Sequence, residues 1–380
     1  MKAAVLKTLG SPLAVETVPD PVLGTGEVIV DVVATKVLAY AGDVFSGQRR
    51  YLLEPPVIPG AGCIGRVRQV GPDATELAVG DWVFCDPTVR SRDNAQAPDI
   101  ILQGLTAGSE RAKRLQEYFH DGSWAERTRV PTECVVRIGP LRDAEAVSWC
   151  AFGNFVVPYG GYVAANLQAG ETVLVNGATG AFGSGGVAVA LAMGASTVIA
   201  TGRNQQALDD LVQRFGKRVR PVRMAVDEER DRKAILDAAP APIDCVLDLL
   251  PPAATPAQVR AALLAVRPYG RVVLMGGVRQ DIAIPYDWLM RLHHHSRPVD
   301  VPARCHCTAD RDGAGGVAVA WSPPGQMLRP RRRERGDRSR RSQRRSLQYD
   351  RAAALVTPQR RQAAGGRPAP PPAWASRPAA

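Results

Sequence analysis

A turn with three regularly spaced glycines is the strongest candidate for chemistry in the sequence. It consists of Gly177, Ala178, Thr179, Gly180, Ala181, Phe182 and Gly183. Glycine at the first two positions lets the chain turn tightly and brings backbone N–H groups close to a pyrophosphate, and the third lets a helix pack on the preceding strand. The N-terminus of that helix adds partial positive charge. The turn is therefore a candidate phosphate-binding site.

The elements on either side of this turn decide how it is interpreted. A glycine spacing alone also occurs in ordinary turns that bind nothing. Here an apolar run at residues 171–176 predicts a buried parallel strand, a helix is expected from about Ser184, and residues 197–201 predict a second strand. This strand, turn, helix and strand order predicts a dinucleotide site.

The end of the second predicted strand bears on which nucleotide is bound. It reads Gly202, Arg203, Asn204, without the Asp or Glu that would hold a ribose 2′-hydroxyl. Arg203 can form a charge-assisted, bidentate contact with a 2′-phosphate, which favours NADPH. The alternative interpretation is a solvent-exposed arginine at the end of a strand.

Length and residue pattern divide the 380-residue chain into three parts. Residues 1–150 contain short β-branched runs broken by Gly, Pro and Asp, which predicts a β-rich domain. Residues 151–290 alternate apolar runs with segments of helix length, which predicts parallel βαβ units. The overall class is α/β. Residues 291–380 are rich in Arg, Pro, Ala and Gly, and we expect them to be disordered or read out of frame.

Composition excludes some classes of protein. No apolar run approaches the roughly 20 residues of a membrane helix, and the N-terminus lacks the features of a signal peptide. The seven cysteines show no disulfide spacing, so we expect a cytoplasmic protein without a membrane partner. The net charge of +11 is uneven, because residues 291–380 contain 19 Arg and six acids, or +13, leaving −2 for residues 1–290.

Three interpretations of the basic tail compete. Arginine runs can bind nucleic acid, but the tail lacks a recognisable module, so nucleic acid is not the expected partner. A metal-binding tail would use His293, His294, His295, Cys305, His306 and Cys307. Their spacing matches no zinc module. We favour a shifted reading frame from about residue 291, because GC-rich codons out of frame yield Arg, Pro and Ala without Lys.

Several segments in order resemble the medium-chain dehydrogenase/reductase superfamily. They are Met1-Lys2-Ala3-Ala4-Val5, Pro59-Gly60-Ala61-Gly62-Cys63-Ile64-Gly65, Val79-Gly80-Asp81-Trp82-Val83, and Asp121-Gly122-Ser123-Trp124-Ala125-Glu126. The resemblance implies a GroES-like domain followed by a Rossmann doubly wound parallel sheet, with hydride transfer in the cleft between them. Leu249, Gly276 and Gly277 would then lie at strand ends that face the nicotinamide.

The chain departs from this superfamily at the zinc ligands. The family's first cysteine falls on Tyr40, its His-Glu pair is replaced by Ala61 and Gly62, and Cys150 alone stands at a ligand-like position. A catalytic zinc needs three protein ligands, so we expect no metal. Cys63 and Cys85 joining Cys150 in another zinc site is the alternative, although buried thiols more often pack as small apolar groups.

A member without zinc resembles the quinone-reductase branch, in which NADPH reduces a carbonyl, enone or quinone. Asp43 matches the family's cleft aspartate, while Tyr40 and Tyr51 are candidate hydrogen-bond donors to the substrate carbonyl. The alternative for each tyrosine is a rim or packing residue with its hydroxyl in water. The alternative function is an NADPH-binding protein impaired in catalysis because the closing C-terminal segment is lost. That segment, when intact, supports a homodimer in this superfamily; the substrate itself is not defined by the sequence.

Overall fold

The computed structural model of the protein describes residues 1–94, 96–291 and 317–319. Up to residue 150 the chain forms short, mostly antiparallel strands, as the pattern of β-branched runs predicts. These strands are β1 (Lys2–Val5), β2 (Ala14–Thr17), β3 (Glu27–Ala34), β4 (Cys63–Val70), β5 (Trp82–Cys85), β6 (Thr88–Arg90), β7 (Ile100–Leu102), β8 (Thr106–Ala107), β9 (Arg127–Pro131) and β10 (Val135–Arg137). Three short helices interrupt them: α1 (Ala41–Phe45), α2 (Lys113–Tyr118) and α3 (Asp143–Trp149).

The central sheet of this N-terminal half has the order β10-β5-β4-β3-β9 and is antiparallel throughout. Valines at alternate positions of β3, Val28 and Val30, face a core that also contains Cys63 and Cys85. Strand alternation puts these side chains on one face, so their burial fixes the register of the sheet. The segment that follows β3 then leads into α1 and its candidate tyrosines.

The second half alternates strands and helices. Its strands are β11 (Thr172–Asn176), β12 (Thr197–Gly202), β13 (Val219–Arg223), β14 (Ile243–Asp248), β15 (Val266–Leu274) and β16 (Val317–Val319). Its helices are α4 (Gly153–Ala164), α5 (Ala181–Ala192), α6 (Gln205–Phe215), α7 (Glu228–Ala238), α8 (Pro256–Leu263) and α9 (Tyr286–Arg291). In the described residues no helix has the length and apolarity needed to cross a membrane.

These six strands form one sheet in the order β13-β12-β11-β14-β15-β16. The first five are parallel, and β16 pairs antiparallel with β15. The strand order reverses between β11 and β14, where Asn176 at the end of one strand lies opposite Asp248 at the end of the other. In doubly wound sheets the ligand crevice opens at this switch point, so the predicted Rossmann fold is confirmed and its crevice is located.

Helix α5 is packed tightly against α4 because it carries glycines on the contact face. A Cβ added at Gly185 would collide with the carbonyl oxygen of Asn154 in the first turn of α4. Next to it, the buried Tyr162 hydroxyl of α4 donates a hydrogen bond to the Gly186 carbonyl at 3.0 Å. The close approach places the first turn of α4 beside the glycine-rich turn.

The expectations for the tail fall mostly outside the described residues. The predicted disorder and the predicted shift of frame both concern residues 291–380, most of which lie outside the described part of the chain. The histidines and cysteines of the alternative metal-binding tail also lie outside it. Residues 317–319 are the exception, because they form β16 along Val272–Leu274 of β15. The prediction of an unstructured tail did not include this strand.

Candidate active site

The glycine turn joins β11 to α5 at the switch point of the parallel sheet. Gly177 has φ of +84°, a conformation that L side chains rarely adopt. A Cβ added at Gly183 would collide with the carbonyl oxygen of Gly177, so the turn closes only with glycine there. Gly180 is the N-cap residue of α5 and provides no side-chain cap, which leaves the first N–H groups of the helix for another acceptor. A pyrophosphate fits this set of donors.

A network of hydrogen bonds connects the turn to the ends of the strands beneath it in the sheet, β11, β12 and β14. The Gly177 N–H donates to Thr201 Oγ1 at 3.3 Å, and Thr201 Oγ1 donates to Asn176 Oδ1 at 2.8 Å. The Asn176 amide in turn donates to Asp248 Oδ1 at 2.7 Å. These residues lie at the ends of three adjacent strands, so the network links the turn to β12 and β14.

Asp248 is the ionisable member of this network. Burial raises the pKa of its carboxyl to about 6, while the hydrogen bonds from Asn176 and from the Leu250 N–H oppose that rise. Asp248 Oδ2 would lie 2.7 Å from a Cβ at Gly276, so the predicted glycine at the end of β15 borders the same carboxyl. Gly277 follows with its N–H bonded to the Leu250 carbonyl at 2.8 Å.

The predicted strand-end residues converge on the turn. The Leu249 carbonyl oxygen would lie 3.3 Å from a Cβ at Gly177, and a Cβ at Gly202 would lie 2.5 Å from Thr179 Cγ2. Glycine at 202 therefore lets β12 end directly beside the turn. Leu249, after β14, and Gly202, at the end of β12, thus lie next to the turn from its two neighbouring strands.

Two arginines follow at the outer end of the crevice. Arg203 is exposed, directly after β12, while Asn204 caps α6 by accepting the Ala207 N–H at 3.2 Å. Arg223, at the end of β13, lies opposite Gly202 in the parallel register and is also exposed. Within the described ranges neither guanidinium is paired with an acid. Sequence reasoning missed Arg223, although its position at the end of the third parallel strand was a usable signal.

The two candidate tyrosines lie together in the N-terminal half. Their rings meet edge to face, with centroids 6.3 Å apart. The guanidinium carbon of Arg49 lies 4.1 Å from the ring centroid of Tyr40 and 4.8 Å from that of Tyr51. Burial raises the pKa of both hydroxyls, most strongly for Tyr40, and both therefore keep their protons at neutral pH.

Tyr51 also approaches the second half of the chain. The positive charge of Arg279, two residues after Gly277, lowers the pKa of Tyr51 against the larger effect of burial. Arg279 therefore lies close enough to Tyr51 for its charge to act on that hydroxyl. Asp43 lies exposed on α1, where its backbone carbonyl accepts the Arg49 N–H at 2.7 Å. Its carboxylate has no hydrogen-bond partner among the described residues, so its role stays a prediction.

Lys36 is the site residue that sequence reasoning missed altogether. Its Nζ donates a hydrogen bond to Asn154 Oδ1 at 3.0 Å and lies 5.1 Å from the ring centroid of Phe182 in the glycine turn. Burial lowers the pKa of this ammonium. Its segment matches no motif, and only its folded contacts with Asn154 of α4 and Phe182 of the glycine turn reveal its position.

The positions of the superfamily's zinc ligands carry few metal-binding groups. Cys150 is half-buried, and burial raises the pKa of its thiol to about 11, against the opposing charge of Lys36. Cys63 and Cys85 lie opposite each other on β4 and β5 as buried free thiols. Throughout the described part of the chain, no three His, Cys, Asp or Glu side chains gather closely enough to hold a metal ion.

Comparison with known proteins agrees with this architecture. Residues 24–140 match the alcohol dehydrogenase GroES-like domain. The chain is 32% identical to an acryloyl-coenzyme A reductase of Metallosphaera sedula, with 58% of this chain and 63% of that protein covered. It is 31% identical to an alcohol dehydrogenase of Geobacillus stearothermophilus, with 52% and 57% covered. The alignments thus span somewhat less than two thirds of each relative.

Solved structures give the same fold. A putative zinc-binding dehydrogenase from Sinorhizobium meliloti 1021, described as bound to NADP, superimposes with a TM-score of 0.59 at 20% identity, covering 76% of this chain and 81% of that chain. The chain shares with that structure the fold of a GroES-like domain followed by a Rossmann sheet. These relatives and the shared fold agree with the resemblance to the medium-chain dehydrogenase/reductase superfamily that the sequence motifs carry.

Proposed function

We propose that the protein is an NADPH-dependent reductase that transfers hydride to a carbonyl, enone or quinone without catalytic zinc. One observation carries the proposal: a turn that requires glycine at positions 177 and 183 lies at the switch point of the sheet, with Arg203 and Arg223 at the neighbouring strand ends. Bound NADPH would supply the hydride. The turn and the N-terminus of α5 bind its pyrophosphate, while the two arginines bind its 2′-phosphate.

The tyrosine pair is the proposed substrate-binding group. Hydroxyls whose pKa is raised by burial remain protonated, so Tyr40 and Tyr51 donate hydrogen bonds to the carbonyl rather than accept them. Arg49, stacked on both rings, orients them. Asp43 is proposed to act at the same end of the cleft, as its place in the family pattern suggests.

The absence of zinc chemistry is proposed from the residues at the ligand positions. Tyr40, Ala61 and Gly62 offer neither a thiolate nor an imidazole, and Cys150 alone cannot satisfy a zinc ion. Cys63 lies near Cys150, but it is buried in the sheet opposite Cys85. The reaction is therefore assigned to side chains and the nicotinamide.

Arg203→Asp tests the choice of cofactor. A charge-assisted contact contributes about 1.5–3 kcal/mol, so the NADPH dissociation constant should rise roughly 10- to 100-fold while that for NADH stays within about threefold. Fluorescence titration of both nucleotides measures this. Arg214→Asp, the same charge change on the exposed end of α6, is the matched control. Equal weakening of NADPH and NADH, or none, would contradict the assignment.

Turnover is tested separately with the full chain and a panel of quinones, enones and aldehydes. Oxidation of NADPH with at least one class is expected. Nucleotide binding without turnover of any substrate would favour the alternative function, an NADPH-binding protein impaired in catalysis. A small-molecule substrate and a homodimer completed by the C-terminal segment belong to the same proposal.

A further inference from the structure

Lys36 is a partly buried cation without a counterion among the residues that the structure describes. It follows the end of β3, and its ammonium has the neutral Asn154 amide oxygen as hydrogen-bond acceptor at 3.0 Å. Within the described residues no carboxylate forms an ion pair with it. Removing an ammonium from water is costly unless a charge compensates, and burial lowers the pKa of Lys36 accordingly. Such a group needs a function to account for its position.

The surroundings of Lys36 bring together the two halves of the site. Its Nζ lies 5.1 Å from the Phe182 ring, and Phe182 belongs to the glycine turn. Asn154 lies in the first turn of α4, which touches α5 at Gly185. On the other side, the charge of Lys36 acts on the Cys150 thiol. The ammonium therefore lies near both the cofactor turn and Cys150, the cysteine at a position that resembles a zinc ligand.

We infer that Lys36 is a catalytic residue of the proposed reductase, and that its ammonium donates a hydrogen bond to the carbonyl oxygen of the substrate. The inference rests on the proposed function. Lys36 would supply the positive charge that a zinc ion supplies in other members, because Tyr40, Ala61 and Gly62 cannot bind that ion. It also restricts the substrate to a compound whose carbonyl oxygen becomes an alkoxide or enolate during reduction.

The electron balance shows where the charge is needed. A hydride, with its two electrons, forms a new C–H bond at the carbonyl carbon or at the β-carbon of an enone. The electron pair of the π bond moves to oxygen, which becomes anionic, and a proton from water completes the reduction. A fixed cation at a developing oxyanion stabilises the transition state more than the ground state, because the oxygen is most negative there.

Lys36→Met removes the charge at nearly constant length. It should lower kcat/KM for the best carbonyl substrate about 100- to 1,000-fold, while the NADPH dissociation constant changes less than about threefold. Lys36→Arg keeps a cation and should recover part of the loss. Lys233→Met, on the exposed face of α7 where Lys233 pairs with Asp237, is the matched control and should leave activity unchanged.

Gly153→Ala tests the position of the ammonium with Lys36 still present. An added Cβ would lie 2.9 Å from Lys36 Nζ, the flexible end of the side chain, so the ammonium must shift while the backbone stays in place. Residue 153 has helical dihedrals, so alanine fits the backbone. Thermal stability should be unchanged or higher, and kcat/KM should fall about tenfold, the effect of a misplaced catalytic group.

A binding measurement separates this inference from the proposed turnover. 4-Nitrophenol, titrated into protein saturated with NADP⁺, mimics the oxyanion, and its visible absorption reports the phenolate. The wild-type protein should favour bound phenolate about tenfold more than Lys36→Met does. Equal phenolate fractions in the two proteins, or no binding of the probe to the wild type, would overturn the role of Lys36. An active enzyme whose kcat/KM is insensitive to Lys36→Met would overturn it as well.

Discussion

At the scale of single residues, the site is defined by polar groups kept from water. Lys36 is partly buried and Asp248 is buried. Burial lowers the pKa of Lys36 and raises that of Asp248, and both shifts favour the uncharged form of the group. Perturbed ionisable groups cluster at functional sites because their environment is arranged for reactivity rather than for stability. Neither residue belongs to a sequence motif. The glycines of the turn are recognisable in the sequence, whereas the groups that act through burial are not.

Asp248 should make folding depend on pH in a defined window. Its folded pKa of about 6 lies above the ordinary 3.8, so between these values the folded state retains a proton that the unfolded state has released. Stability is therefore fully present below about pH 4 and falls as pH rises to about 6. Asp248→Asn removes this dependence, because an amide does not ionise.

Urea unfolding of wild type and Asp248→Asn across this range measures the effect. The difference in unfolding free energy should change by about 1–3 kcal/mol in favour of the variant between roughly pH 4 and pH 7. Two curves that stay parallel over the window would show that the carboxyl titrates alike in both states. The constant offset between the curves reflects the hydrogen bonds with Asn176 and Leu250, so only the slope tests the pKa.

At the scale of elements, close backbone packing fixes the connection of β11 to α5. Gly183→Ala puts a Cβ onto the Gly177 carbonyl and 2.8 Å from Ala178 Cα, where no flexible side chain can yield. We expect it to lower the unfolding free energy by about 1–3 kcal/mol and to abolish tight NADPH binding. Thermal unfolding and nucleotide titration measure the two effects.

Gly180→Ala is the matched comparison in the same turn. The nearest atom to its added Cβ is the Gly177 carbonyl oxygen at 3.5 Å, and its dihedrals are extended, so folding should be close to that of wild type. NADPH binding should still weaken, because the methyl group stands where the pyrophosphate approaches the N–H groups. A fully stable Gly183→Ala with normal binding would show that the turn tolerates side chains and would weaken the nucleotide assignment.

The elements also show what the sequence could predict. The strand and helix around Gly177–Gly183 were predictable because apolar period and glycine spacing are local signals. The contact of Lys36 with Asn154 was not, since it joins residues 118 positions apart, one just after β3 and the other in α4. Tyr40 and Tyr51 could be named from the sequence, but their shared contact with Arg49 emerges only when α1 and the following loop are folded.

At the scale of the whole molecule, charge and sheet geometry both point to the C-terminal tail. Residues 291–380 carry +13 against −2 for the rest, so the tail does not share the electrostatic character of the chain it follows. The outer edge of the sheet, at β15, also concerns the tail, because β16 of the tail pairs with it. Only Val272–Leu274 of this nine-residue strand pair with β16, and no other described strand lies along its outer edge. An edge strand of this kind offers unpaired backbone groups that a longer strand would cover.

We propose that a shifted reading frame near residue 291 accounts for both features, and its correction should be measurable. The neighbouring frame over residues 298–304 permits the sequence Arg-Trp-Thr-Tyr-Pro-Arg, which resembles the continuation of the superfamily. A chain restored to that frame should cover the edge of β15 and complete the N-terminal half. Its midpoint of thermal unfolding should then rise by several degrees, and sedimentation should show a dimer.

The chain ending at residue 291 is the control for this experiment, because it lacks both versions of the tail. If the present tail is native, the full chain should have a higher midpoint of thermal unfolding than the truncated chain, and the restored frame should not raise that midpoint further. If the frame is shifted, the restored chain should be more stable than both the truncated chain and the present chain, whose described tail strand is the three-residue β16. The nucleotide sequence around this codon must also encode the family's pattern in the neighbouring frame, and its absence there would end the hypothesis whatever the unfolding curves show.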